Sequence, residues 1–169
     1  AMGMKSGEHE FKVMGLAPYA NREYYKPIVE KLRGLLWLNS EGQFVARFPP
    51  TALQTQLEKI YRFQRFDNIA GAIQEFTEEI ILKWVEHWIK KEGISRIAVS
   101  GGVFMNVKAC QALISAPFVQ RMFVVPSAAD ESTAIGAAFA TSKAIEPDTD
   151  LVPLRDLYLG RSYNEQEIE

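Results

Sequence analysis

Between Arg96 and Ala144 the chain switches twice from a short apolar run to a helix-like run. "RIAV" is followed by "VFMNVKACQALIS", and "RMFVV" by "DESTAIGAAFATSKA". Strand, helix, strand, helix in such short pieces signals an α/β unit with parallel strands, because two parallel strands need a crossover between them and a helix is the usual one. Two successive parallel strands open their following loops at the same sheet edge. In open α/β sheets ligands bind there, beyond the carboxyl ends of the strands. The loops are "SGGVFMN" and "PSAADEST". Small residues at Ala134, Gly136, Ala137 and Ala140 would let the second helix approach its sheet closely.

Each loop admits two explanations. Gly101 and Gly102 turn the chain tightly, or they remove side chains that would keep a ligand from the backbone. A helix start beyond them offers N–H groups and about half a positive charge, which suits a phosphate. Asn106 carries both a donor and an acceptor, so it can read a hydroxyl or a base edge. Asp130 precedes the small-residue helix. It is either an N-cap or an oxygen ligand for a metal or phosphate site. A lone Gly-Gly is a weak signal, and no Walker A loop or G-x-G-x-x-G fingerprint is present.

Upstream the chain reads mostly as helix. "EHEFKVMGLAPYA" suggests a short helix ended by Gly15 or Pro18. "NREYYKPIVEKLRGLL" suggests a helix capped by Asn21 and disturbed by Pro27. Strands flanking "NSEG" predict a hairpin. "PPTALQTQLEKIYRF" predicts a helix opened by proline and capped by Thr51. In the longest helix Ile69, Ile73, Phe76, Ile80, Trp84 and Trp88 form one stripe, and Gly93 is its stop. His87 lies off the stripe and is expected to be exposed. "EPDTDLVP" reads as loop, "LYLG" as a short strand and "NEQEIE" as a helix start.

Of 169 residues, 47% are hydrophobic and 24% charged, the balance of a globular domain. A net charge of -2 argues against a broad nucleic-acid surface. The scattered Lys and Arg read as solvated helix faces. Cys110 is the single cysteine, so no intrachain disulfide forms. It reads as a buried, inert thiol in a cytoplasmic protein. No apolar run is long enough to cross a bilayer. The opening "AMGM", residues 1–4, reads as an expression scar, with more natural chain expected upstream.

Taken in order, "EFKVMGLAPYA", "SGGVFMNVKACQ" and "VVPSAADESTAIGAA" resemble the carbamoyltransferase family of nodulation and antibiotic biosynthesis. The resemblance spans most of the chain. It implies one lobe of the actin-like, sugar-kinase-like and Hsp70-like ATPase fold, a mixed sheet flanked by helices. On that basis residues 5–160 are the C-terminal lobe of the family's first domain, which is similar to the tRNA threonylcarbamoyl-transfer protein. Residues 161–169 begin a linker to an absent synthase-like second domain.

The family's chemistry is implied with it. Carbamoyl phosphate and ATP give carbamoyl-adenylate, and the carbamoyl group passes to a hydroxyl of a sugar or natural product. Carried onto this chain, the resemblance places Lys12, Gly15, Gly101, Gly102, Val103 and Asn106 at the nucleotide. It makes Asp130 one ligand of a divalent, iron-type metal whose two histidine ligands are missing here, since His9 and His87 form no pair. No catalytic residue is assigned, and the piece alone is expected to be inactive. Ala129 stands where the family commonly has glycine, and Cys110 where it has asparagine. A membrane or nucleic-acid partner is not expected, and a homodimer through surface left open by the missing lobe is conceivable. The alternatives are a tRNA-modifying relative, a sugar-kinase lobe or a non-catalytic binding module.

Overall fold

A computed structural model describes residues 3–5, 8–152 and 160–168. The chain divides into two compact units. The first holds residues 1–98 and 106–123, the second residues 99–105 and 124–169.

The first unit is built around one long helix. The helices are α1 (Glu10–Leu16), α2 (Arg22–Arg33), α3 (Pro50–Tyr61) and α4 (Phe66–Glu92), with a one-turn 3₁₀ helix at Ala17–Tyr19. Helix α4 packs against α1, the 3₁₀ turn, α2 and the later helix α5 (Val107–Ile114). Its length follows from its sequence. The apolar stripe supplies Ile69 and Ile80 to the core, and Gly93 ends the helix in the left-handed region at φ 69°. The early turns are buried more broadly than one stripe, because Ala70, Gly71 and Ala72 are covered as well. Tyr25 and Ala20 lie over Gly71. A Cβ there would sit 2.7 Å from the Ala20 Cβ and 2.8 Å from the Tyr25 ring.

Asn21 caps α2 by accepting from the Glu23 N–H at 3.0 Å. Pro27 lies inside α2, which nevertheless runs to Arg33 and buries Ile28, Val29 and Leu32. The hairpin pairs β1 (Leu36–Leu38) antiparallel to β2 (Phe44–Ala46), with Trp37 opposite Val45. Asn39 Oδ1 closes its turn by accepting from the Glu41 and Gln43 N–H groups. Helix α3 starts at Pro50 with Pro49 as its cap residue, so Thr51 lies inside the helix and is not the cap. A proline needs no N–H partner in the first turn, which lets the helix begin there without a side-chain cap.

His87 differs from expectation too. It is half-buried, and its Nε2 is fully buried with no hydrogen-bond partner among the described residues. The hairpin turn covers it: Gly42, at φ +76°, has no Cβ to strike the imidazole. Off-stripe position in sequence did not mean exposure, because a hairpin distant in sequence packs on that side of α4.

Strand β3 (Arg96–Val99) and strand β4 (Arg121–Val124) form the second sheet. In the first unit the Gln120 N–H donates to the Ser95 carbonyl, at 2.9 Å. In the second the Val125 N–H donates to the Val99 carbonyl, at 3.0 Å. The partner numbers rise together, which is the parallel sense that the strand–helix alternation requires. The second unit buries Val99, Phe104 and Ala128, and carries α6 (Ser132–Ile145) and the short α7 (Glu165–Ile168). Ala134, Gly136, Ala137 and Ala140 are all exposed, so α6 does not use its small residues for close packing. The expected "LYLG" strand falls almost wholly outside the described residues.

Gly71→Val should destabilise the first unit by about 1–3 kcal/mol through overpacking against Ala20 and Tyr25. Urea unfolding followed by tryptophan fluorescence measures it. Unchanged stability would show that this contact is looser than described.

Candidate nucleotide-facing site

The two strand-end loops meet within the second unit. The Gly101 N–H donates to the Ala128 carbonyl at 2.6 Å, and Ser100 Oγ lies 2.8 Å from Ser132 Oγ. Ser132 Oγ also donates to the Ala129 carbonyl. This places Gly101, Gly102, Val103 and Asp130 on loops that are tied together. The two glycines differ. Gly101 has φ +107°, a conformation that side chains resist, and the Phe104 N–H donates back to its carbonyl at 2.9 Å. Gly102 has no such φ, and a Cβ there would meet nothing within 4 Å. The turn therefore accounts for Gly101 but not for Gly102.

Beyond them a helix does not start at once. A 3₁₀ turn covers Gly102–Met105, anchored by buried Phe104, with Val103 and Met105 exposed. Helix α5 begins only after Asn106, whose Oδ1 accepts from the Lys108 N–H at 3.2 Å and the Ala109 N–H at 3.1 Å. The N-terminal N–H groups of α5 are thus partly satisfied from within the chain.

Asp130 is exposed, and its carboxylate makes no hydrogen bond or ion pair among the described residues. It is not a cap: α6 begins at Ser132, its cap residue is Glu131, and Glu131 is engaged by the Ser127 hydroxyl. One carboxylate does not make a metal site. Among the described residues no three His, Cys, Asp or Glu side chains cluster to hold an ion. His9 Nδ1 accepts from the Lys5 N–H, and His87 is covered by the hairpin. A metal at Asp130 would need its other donors from elsewhere.

In the first unit, Lys12 and Gly15 are exposed on α1. The Lys12 ammonium lies 5.7 Å from the Phe11 ring centroid, and a Cβ at Gly15 would meet nothing within 4 Å. Their neighbours Met14, Ala17 and Pro18 line a cavity of about 520 Å³. Gln74, Glu75 and Glu78 of α4 form another wall, and Lys108 and Gln111 of α5 a third. Asn106 does not itself line the cavity but pairs with Gln74: each side-chain amide donates to the other, at 2.9 and 3.0 Å. Gln74 is the residue that sequence reasoning missed. Its position beside the apolar stripe gave no signal, since the pairing depends on α4 and α5 meeting.

Glu75 is gripped by Arg22, whose Nε and Nη2 donate to separate carboxylate oxygens at 2.9 Å each. That hydrogen-bonded pairing holds the Glu75 carboxyl below the usual range against the opposing effect of burial, and the Tyr25 hydroxyl adds to it. Burial pushes the Cys110 thiol up, which keeps it a thiol and fits an inert packing role.

A family model described as the carbamoyltransferase N-terminus matches residues 1–139. The chain belongs to this family. Among curated relatives it is 29% identical over 154 residues to the nodulation protein NolNO of Sinorhizobium fredii, covering 89% of this chain and 23% of that protein. It is also 29% identical over 164 residues to the nodulation protein NolO of Bradyrhizobium diazoefficiens, covering 95% of this chain and 30% of the relative. An uncharacterized protein of Synechocystis is 28% identical over 188 residues, again with 30% of its length covered. The chain therefore spans less than a third of the length of these relatives. No helix among the described residues is long and apolar enough to cross a membrane.

The Glu75 carboxyl should titrate below the ordinary glutamate value of about 4.3. A depressed folded value means that the pairing stabilises the fold above the unfolded value and is lost as pH falls through the folded one. Carboxyl-carbon NMR should show the Glu75 midpoint rising towards the ordinary value in Arg22→Gln. No movement would mean that Arg22 does not hold it.

Proposed function

We propose that this chain forms the nucleotide-facing lobe of an ATP-dependent O-carbamoyltransferase, with the actin-like ATPase architecture that its parallel strands and tied loops are compatible with. Carbamoyl phosphate loses its phosphate to water and gives carbamate, and a carbamate oxygen then attacks the α-phosphorus of ATP, so that pyrophosphate leaves and carbamoyl-adenylate forms. The acceptor hydroxyl of a sugar or natural product attacks the carbamoyl carbon, and a new C–O bond forms. The bond from that carbon to the adenylate oxygen breaks, AMP leaves with the electron pair, and the hydroxyl proton passes to solvent. No covalent enzyme intermediate is required, and no Ser–His pair is needed.

The observation that carries this reading is Gly102. Neither backbone conformation nor packing explains the missing side chain there. A ligand that must approach the backbone does, and a phosphate beside main-chain N–H groups is such a ligand. Gly15 supports it. Glycine inside a helix costs about 0.5–1 kcal/mol relative to alanine, and nothing in the surroundings of Gly15 requires it. Lys12 is the cation on the same short helix, and Val103 and Asn106 complete the set. Asp130 is exposed, and no hydrogen bond or ion pair among the described residues engages its carboxylate.

Assayed in the full-length protein, ATP should yield AMP only when carbamoyl phosphate is present. ADP formation without carbamoyl phosphate would indicate a kinase and sink the proposal. Gly102→Ala should leave folding stability within about 0.5 kcal/mol, yet weaken nucleotide binding. Gly101→Ala should lower stability by about 1–3 kcal/mol through its positive φ. Equal effects of the two on stability, with binding retained in Gly102→Ala, would reduce both glycines to turn residues. Asp130→Ala should keep the stability of the parent, as a carboxylate with no hydrogen bond or ion pair among the described residues allows, while activity falls. Activity at the parent level would remove Asp130 from the site.

A further inference from the structure

The 520 Å³ cavity lies wholly within the first unit. Gln74, Glu75 and Glu78 line it from α4, and Lys108, Gln111 and Ser115 from α5. On each helix these positions recur at three- or four-residue steps, so each helix gives the cavity one face. The two carboxylates differ. Glu75 is neutralised by Arg22, which donates to both its oxygens. Glu78 has no such cation. One of its oxygens accepts from Gln74 Nε2 at 2.6 Å, and no ion pair among the described residues engages it. Glu78 is half-buried. A carboxylate drawn from water without a counter-ion carries a desolvation cost that a bound cation would offset.

Lys108 is the opposite charge on the α5 wall. Its ammonium makes no hydrogen bond or ion pair among the described residues. The two ions are nevertheless tied to one another. Gln74 Nε2 donates to Glu78 Oε1 at 2.6 Å and to Asn106 Oδ1 at 3.0 Å, and the Lys108 N–H donates to that same Asn106 oxygen at 3.2 Å. Three short bonds thus join the Glu78 carboxylate to the backbone from which the Lys108 side chain begins. The ions share one cavity at short range and do not pair. On α5, Gln111 and Ser115 add an amide and a hydroxyl whose side chains make no hydrogen bond among the described residues. A third wall, of Met14, Ala17 and Pro18, is apolar.

We infer that this cavity binds an α-amino acid with an apolar side chain. The ligand's ammonium meets Glu78. Its carboxylate meets Lys108, with the Gln111 amide and the Ser115 hydroxyl as further donors. Its side chain lies on Met14, Ala17 and Pro18. A ligand of one charge would satisfy one wall and leave the ion on the other without a partner, so the pair selects a zwitterion. The volume lies in the range of small-ligand pockets, about 300–1,000 Å³. None of the residues proposed to face the nucleotide or a metal lines this cavity. The amino-acid site therefore goes beyond the proposed function and fails separately from it.

The test is isothermal titration calorimetry on the full-length protein, with ligands taken into the millimolar range. L-leucine is compared with L-leucinamide, which lacks the carboxylate, and with isocaproate, which lacks the ammonium. L-leucine should bind about tenfold or more tightly than either, since each analogue forfeits a charge-assisted contact. Glu78→Gln keeps an acceptor for Gln74. It should shrink the preference over isocaproate towards unity and leave the preference over leucinamide. Lys108→Met should do the reverse. Neither side chain belongs to the buried core, so circular dichroism should show the parent fold in both. No heat with L-leucine overturns the inference, as does equal binding of the three ligands. Preferences unchanged in both variants place the amino acid elsewhere and overturn it too. Competition between ATP and L-leucine would assign the cavity to the nucleotide and likewise overturn it.

Discussion

The missing side chain at Gly71 is the constraint on which the first unit depends. It lets Ala20 and Tyr25 come within van der Waals contact of the α4 backbone, closer than any Cβ would permit. That approach sets the distance of the 3₁₀ turn and α2 from α4. It thereby sets the walls of the cavity, since Ala17 and Pro18 of the 3₁₀ turn and Gln74 and Glu75 of α4 all line it. The polar contacts follow from the packing. Arg22 reaches Glu75, and Arg33 reaches Glu79 at 2.9 Å through Nε, because α2 is already seated along α4. Arg22 is largely solvent-exposed and Arg33 half-buried, so these pairs fix register more than they add stability.

Much of the fold was legible because its signals are local. The α4 periodicity, the Gly93 stop, the Asn21 cap and the hairpin turn each depend on residues a few positions apart, and all stand as read. One failure came where a distant element intervenes, and two where local sequence leaves the choice open. His87 is covered by Gly42, forty-five positions upstream in the sequence. Thr51 lost its capping role to the preceding proline pair, a choice between two adequate starts that local sequence does not rank. The small residues of α6 suggested close packing, yet small side chains permit approach without compelling it.

The candidate site was legible in the same uneven way. Paired loops at one sheet edge followed from strand–helix alternation, and the Gly101 to Ala128 bond realises that pairing. The division of labour between Gly101 and Gly102 was not readable, because both are the same letter and only φ and surrounding space distinguish them. Asn106 was read as able to donate and accept. Folding spends its acceptor on the cap of α5 and leaves only a donor.

That expenditure explains why Asn106 is a poor place to dissect function. A capping asparagine replaced by alanine costs about 0.5–2 kcal/mol on its own, so lost binding and lost folding would arrive together. Gln74 carries none of the cap. It sits inside α4, where a long unbranched side chain is well accommodated and where Glu78, one turn on, supplies its second contact. The amide pair thus separates two tasks that one residue type could have performed alone. Asn106 begins the helix, and Gln74, held in turn by Glu78, fixes the orientation of its amide.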